Sequence, residues 1–363
     1  MGARMKSHIY YFDHLRVFAA LGVVFMHTAA PPLRMDLNWN WHLLNVVTSL
    51  AFTAVPLFFM ISGYLLLSSE KTADVSVLLK RRLPRLIVPL IGWTGVEALW
   101  KVYSSGAFSA YAVVKRMVSA IASPTFLVFW FMYTLIAIYV ISPILYGGIH
   151  ALDRKGHIFV LVLIALVSLQ AIVQALMPQK DIQVDLINDL GIFGVHLATF
   201  VLGYYLGSMK KKVPNGWLLG VGALLFGIIS VGTYFLTKQN GTYTATFQKQ
   251  SAGFQILLAS CIFLLFKQNC NVKRGISSSL APLMFGVYLM HAILLSMLYA
   301  VGINPVTFVQ TVLVTLLDFL ICLLTLKTVA TIKPICYLAT GMSFAQACGS
   351  CNWIYTYRRI KQR

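Results

Sequence analysis

Residues 10–29 read YYFDHLRVFAALGVVFMHTA. The run is long enough to cross a bilayer as a helix, which takes about 20 predominantly apolar residues, yet it carries Asp13, Arg16 and His27. Charged or ionisable groups inside hydrocarbon are expensive and are retained where they face a protein interior or a polar path. Helical geometry puts these on one side: eleven residues separate Arg16 from His27, about three turns plus 20° and about 16 Å of rise. Asp13 lies one turn before Arg16, within reach of an ion pair. Such a helix needs neighbours that cover its polar stripe, so an all-α, polytopic membrane bundle is the expected fold.

The rest of the chain agrees. Of 363 residues 59% are hydrophobic and 11% are Asp, Glu, Lys or Arg, against about 25% charged in soluble domains, and the mean hydropathy is +0.79. Apolar runs bounded by charge, Pro and Gly predict about ten spans: 9–29, 43–68, 86–103, 124–146, 157–177, 191–209, 216–236, 250–267, 283–303 and 307–332. They make residues 1–332 a single membrane domain and leave 333–363 as a basic cytoplasmic tail. The first run is too long, and too polar at its start, for a cleaved signal peptide, and reads as a retained span.

The formal charge is +19, but its distribution argues for a membrane, not nucleic acid. With the N-terminus inside, the outer segments hold Arg34, Lys101, Lys115, Arg116, Lys180, Lys238 and Lys249, seven in all. Arg16 and Lys327 fall in spans, and the other 20 of the 29 basic residues lie in inner segments. That bias predicts both termini in the cytoplasm. In the outer loop 104–123, Phe108, Tyr111, Val114 and Met117 recur at helical spacing, as in an interfacial helix. The six cysteines include a lone CxxC, Cys348 and Cys351, without the second ligand pair a zinc site needs; no metal is expected.

Further ionisable residues stand inside spans: Glu97, His196, His291, Asp318 and Lys327. Glu97 is at a depth to pair with His27, and His291, about two turns into its span from the cytoplasm, is placed to serve the inner side. Arg82 and Arg85 end an inner loop at a spacing of three and project from one face, a geometry that clamps phosphate; positive-inside anchoring would use the same residues. His8 and Asp13 form an HxxxxD pattern of a kind that recurs by chance. There is no Walker-type loop, GxSxG elbow or HExxH motif.

Several blocks together resemble acyltransferase family 3, integral membrane acyltransferases many of which O-acetylate bacterial surface polysaccharides. Tyr11-Phe12-Asp13-His14-Leu15-Arg16 through His27 resembles the family's opening LDxLR and histidine. VPLFFMISGY (55–64), RLPRLIVP (82–89), WFMYTLIAIYVISP (130–143) and FGVYLMH (285–291) resemble its later blocks. The wording of 55–64 is nearest the enterobacterial common antigen O-acetyltransferase-like subgroup. Where relatives often read HLWF, this chain has Val128-Phe129-Trp130-Phe131.

The resemblance implies acetyl-CoA as donor, with Arg82 and Arg85 near its phosphates on the cytoplasmic side. It also implies His27 as base or acyl carrier, Arg16 orienting the site or stabilising charge, and Asp13 holding Arg16. The acceptor would be a surface glycan or lipid-linked oligosaccharide on the outer face of a bacterial inner membrane. The rival reading is a transporter or flippase for a lipid-linked glycan or other solute, using the same buried charges as a proton relay.

Overall fold

The computed structural model describes residues 8–106, 108–124, 126–176, 185–272 and 275–361, and they are helical, with no strand among them. Of the basic residues weighed above, Arg4, Lys6, Lys180, Lys273, Arg274 and Arg363 lie outside the described residues, as do position 125 of the expected span 124–146 and position 177 of the expected span 157–177. The first group of helices is α1 (Tyr10–Ala29), α2 (Trp39–Ala51), α3 (Ala54–Leu67), the single turn α4 (Val75–Val77), α5 (Pro84–Ser104) and α6 (Ala110–Ala122). The middle of the chain forms α7 (Trp130–Ala151), α8 (Arg154–Leu176), α9 (Asp185–Ser208), α10 (Asn215–Asn240) and α11 (Gly253–Asn269). It ends with α12 (Gly275–Leu280), α13 (Met284–Ala300), α14 (Phe308–Val329), α15 (Lys333–Thr340), α16 (Phe344–Ser350) and α17 (Trp353–Lys361).

Among the described residues, six stretches are long and apolar enough to cross a membrane: Trp39–Leu67, Trp130–Ala151, Arg154–Val173, Asn215–Asn240, Gly275–Ala300 and Phe308–Val329. Helix α1 packs against α2, α3, α11, α13 and α14, with Leu15, Ala19 and Val24 fully buried, so protein surrounds its polar stripe.

The run 43–68 is two helices joined at Phe52 and Thr53. Pro56 has no N–H for the Phe52 carbonyl, while Thr53 Oγ1 donates to the Leu50 carbonyl at 2.7 Å. Gln255 of α11 donates to the Ser49 carbonyl at 2.9 Å. Gln248 reinforces the joint, donating to Asn45 Oδ1 and Ser49 Oγ, both at 2.8 Å. Satisfying freed backbone groups in this way is what makes an interrupted helix tolerable at membrane depth. These uncharged amides escaped a search for ionisable residues.

The expected helix in 104–123 forms as α6, with Tyr111 and Val114 exposed on it and Phe108 exposed just before it. Residues 333–357, expected as part of a tail, instead fold onto the bundle: Trp93 Nε1 of α5 donates to the Ala339 carbonyl at 3.0 Å. Asn352 Nδ2 donates to the Ala330 carbonyl at 3.1 Å. Cys336 and Ala347 of this segment are fully buried.

The closest helix pair is α3 with α9. A methyl group on Gly63 would run into the Phe200 carbonyl, one on Gly203 into Met60 backbone and one on Gly207 into the Tyr64 ring. Small residues four apart let helices approach without a hydrophobic driving force. Gly63→Ala is expected to cost about 1–3 kcal/mol through overpacking, read as a lowered thermal midpoint in detergent by fluorescence-detected size exclusion. Gly220→Ala, where a Cβ meets open space, is expected to leave the midpoint unchanged; equal midpoints for the two variants would show that α3 and α9 are not so close.

Candidate active site

A cavity of about 870 Å³ opens among α1, α3, α5, α7, α13 and the C-terminal helices. This is the size of a small-molecule site, about 300–1,000 Å³. Its cationic wall is Arg16, Arg82 and Arg85, with His8 and one carboxylate, Asp13. Phe58, Ile61, Phe131, Leu135, Met284 and Tyr288 form an apolar remainder. Three guanidinium groups against one acid suit an anionic ligand, and the apolar part suits a ligand with an uncharged arm or tail.

Local structure presents each arginine. Before α5 the chain makes a wide turn over Leu78–Arg82, closed by the Leu83 N–H donating to the Leu78 carbonyl at 2.9 Å, and Pro84 then starts α5, where its missing N–H costs nothing. Arg82 donates to Thr72 Oγ1 at 2.6 Å and Ser69 Oγ at 3.3 Å. Thr72 in turn donates to the Leu66 carbonyl. Partial burial lowers the Arg82 guanidinium from its ordinary value, which is so high that the group stays charged.

Asp13 is buried and accepts a 2.7 Å hydrogen bond from His8 Nε2. Its contact with Arg16 Nη1 is a looser 3.7 Å. The His8 and Asp13 spacing set aside as chance is therefore a contact, with His8 orienting Asp13 more closely than Asp13 orients Arg16.

His27 meets His291: the ring centroids are 5.3 Å apart at 42°. His291 Nδ1 lies 2.7 Å from the Tyr288 carbonyl and 3.2 Å from that of Val287. A carbonyl only accepts, so this nitrogen carries the proton and Nε2 keeps a lone pair. That Nε2 is buried without a hydrogen-bond partner. His291, expected to serve the inner side, therefore stands at the depth of His27, because α12 and a short turn precede α13 and carry it deeper.

The cavity lining stops at Tyr288, three residues before His291. The Tyr288 hydroxyl donates to the Val128 carbonyl, and its ring lies 5.3 Å from Phe131. Arg16 thus belongs with Arg82 and Arg85, not with His27.

The remaining candidates serve elsewhere. Glu97 does not pair with His27: it takes the Arg116 Nε at 3.0 Å, from α6. His196 stacks on Phe59 at 4.8 Å. Asp318 is buried and accepts from Cys322 Sγ at 3.5 Å. Lys327 sits 4.2 Å over the Trp353 ring. Sequence reasoning missed the C-terminal lining residues Thr340, Gly341, Met342, Gln346, Gly349 and Ser350, which carry no charge or periodic signal. No group of three or more metal-binding side chains occurs among the described residues.

A family model described as an acyltransferase domain matches residues 9–327. The chain belongs to this acyltransferase family. No relative among curated proteins and no solved structure matches it. The matched region holds Asp13, Arg16, His27, Arg82, Arg85 and His291, so the cavity and the histidine pair are parts of a membrane acyltransferase.

The Glu97 and Arg116 pair holds α6 to α5. Glu97→Ala is expected to cost about 2 kcal/mol, below the 3–5 of a fully buried pair because Arg116 is partly exposed. A double-mutant cycle of Glu97→Ala with Arg116→Ala, read from chemical or thermal unfolding in detergent, should give a coupling of at least about 1 kcal/mol. Additive effects would show that the contact is incidental.

Proposed function

We propose that this protein is an O-acetyltransferase that moves an acetyl group from acetyl-CoA to a hydroxyl of a surface polysaccharide or lipid-linked glycan. The observation that carries the reading is an arginine-lined cavity whose apolar end approaches a paired histidine within an acyltransferase domain. We place both termini in the cytoplasm of a bacterial cell, with about ten membrane passages, on the strength of the 20 to 7 bias in basic residues. The cavity then faces the cytoplasm and His27 lies nearer the outer side.

In this reading Arg82, Arg85 and Arg16 bind the phosphates of the donor, whose uncharged arm follows the apolar wall towards Tyr288. Arg16 lies about 16 Å along α1 from His27, so it binds donor and does not stabilise the reacting oxygen. His27 takes the proton of the acceptor hydroxyl. The oxygen forms a bond to the acetyl carbon as the carbon–sulfur bond breaks, and the departing thiolate receives the proton, leaving coenzyme A as the free thiol. His291 packs its ring against His27 and leaves its Nε2 lone pair unused by the bundle. Nearness to the enterobacterial common antigen subgroup favours a cell-envelope glycan as acceptor.

The test compares glycans by mass spectrometry from cells lacking the protein, cells with it restored, and cells carrying His27→Ala at equal membrane abundance. The wild type is expected to restore an acetyl mass increment and His27→Ala to lose it by at least about 100-fold, the lower end for a general base. Arg82→Ala is expected to raise KM for acetyl-CoA more than it lowers kcat. An unmodified glycan in every strain, with substrate moved across the membrane unchanged, would replace this reading by the flippase.

A further inference from the structure

The cavity has a wall that the family match does not contain. Residues 333–352 follow the matched region, which ends at 327, and fold back so that Thr340, Gly341, Gln346, Gly349 and Ser350 line the same cavity as Arg82 and Arg85. The segment is docked, not loosely laid over the opening. Gly341 turns the chain at φ +69°, and a side chain there would run into the Arg85 carbonyl, so the turn rests on the first coil of α5. Ala339 accepts from Trp93 at 3.0 Å. A Cβ on Gly92 would stand 2.8 Å from Leu338. Ser343 and Gln346 form a capping box that starts α16, and Ala347 and Cys351 bury its inner side.

What this wall presents is small and polar. A Cβ on Gly349 would meet nothing within 4 Å and the residue lines the cavity, so a side chain added there has room at the cavity's edge. Ser350 and Thr340 add hydroxyls and Gln346 an amide, with no carboxylate to oppose the arginines across the gap.

Resting on the proposed use of an acyl-CoA donor, we infer that the C-terminal segment Thr340–Ser350 forms the nucleotide-facing wall of the donor site. Gly349 is the position that sets how bulky a phosphate-bearing end the site admits. The wall lies beside Arg85, at the phosphate end, where Gly341 rests on the Arg85 carbonyl. It therefore recognises the nucleotide half of the donor and not the acyl group.

The experiment uses the full-length protein in detergent or nanodiscs with two donors, acetyl-CoA and S-acetyl-pantetheine, which lacks the nucleotide. Gly349→Leu fills the open space, and Gly147→Leu, also at a helical glycine with nothing within 4 Å but outside the cavity, is the control. The expected result is a KM for acetyl-CoA raised at least tenfold by Gly349→Leu alone, with KM for S-acetyl-pantetheine within twofold of wild type and an unchanged thermal midpoint. Unchanged KM for both donors overturns the assignment, and so does an equal rise for both, which would mean a general disturbance. If Gly349→Leu lowers the midpoint, Gly349→Val takes its place under the same criteria. A wild type that neither binds nor turns over acetyl-CoA overturns the function reading and this assignment with it, whereas wild-type turnover with an indifferent Gly349 variant overturns only the latter.

Discussion

A guanidinium, a carboxylate and an imidazole on one helix cannot face lipid, and the rest of the bundle follows from that constraint. Helix α1 is apolar enough to be central and too polar to be peripheral, so α2, α3, α11, α13 and α14 surround it. Their enclosure leaves one cavity and one ring contact along its polar stripe. Arg16 opens onto a cavity shared with Arg82 and Arg85, and about three turns further His27 meets His291. One helix therefore sets both the depth of the cavity and its distance from the histidines.

Other buried polar groups in the bundle are spent on holding it together. Glu97 pins the amphipathic α6, His196 is stacked among aromatic rings, and Asn45, Gln248 and Gln255 tie α2, α11 and the loop before α11 around the joint at Phe52. The difference from the site lies in the partners. Glu97 and the amides are met by other parts of the bundle and His196 by aromatic rings, although His196 Nδ1 and Gln255 Oε1, like His291 Nε2, have no hydrogen-bond partner among the described residues, whereas Arg16, Arg82 and Arg85 together outnumber the one acid in their cavity.

What could be read from the sequence was what depends on one segment at a time. The α1 stripe, the amphipathic α6 and the arginine pair before α5 declare themselves through period and charge. What depends on which helices are neighbours was not legible: that Glu97 would find a partner nineteen residues away on α6, or that His291 would reach the depth of His27. The C-terminal helices were missed for a different reason. They are short, and their place is fixed by a left-handed glycine, a tryptophan N–H and close fits such as Gly92 against Leu338, none of which raises hydropathy. Their basic end dominated the reading of a segment whose inner part is buried.

The aromatic floor of the cavity also bears on permeability. A chamber open to one side of a membrane shortens the hydrocarbon an ion must cross, and the inner end of this cavity is lined by Phe131 and Tyr288, whose rings touch, with the Tyr288 hydroxyl tied to the Val128 carbonyl. On the proposed orientation the same ring pair that bounds the ligand space would also resist the passage of ions, and the acyl group would have to pass it to meet His27.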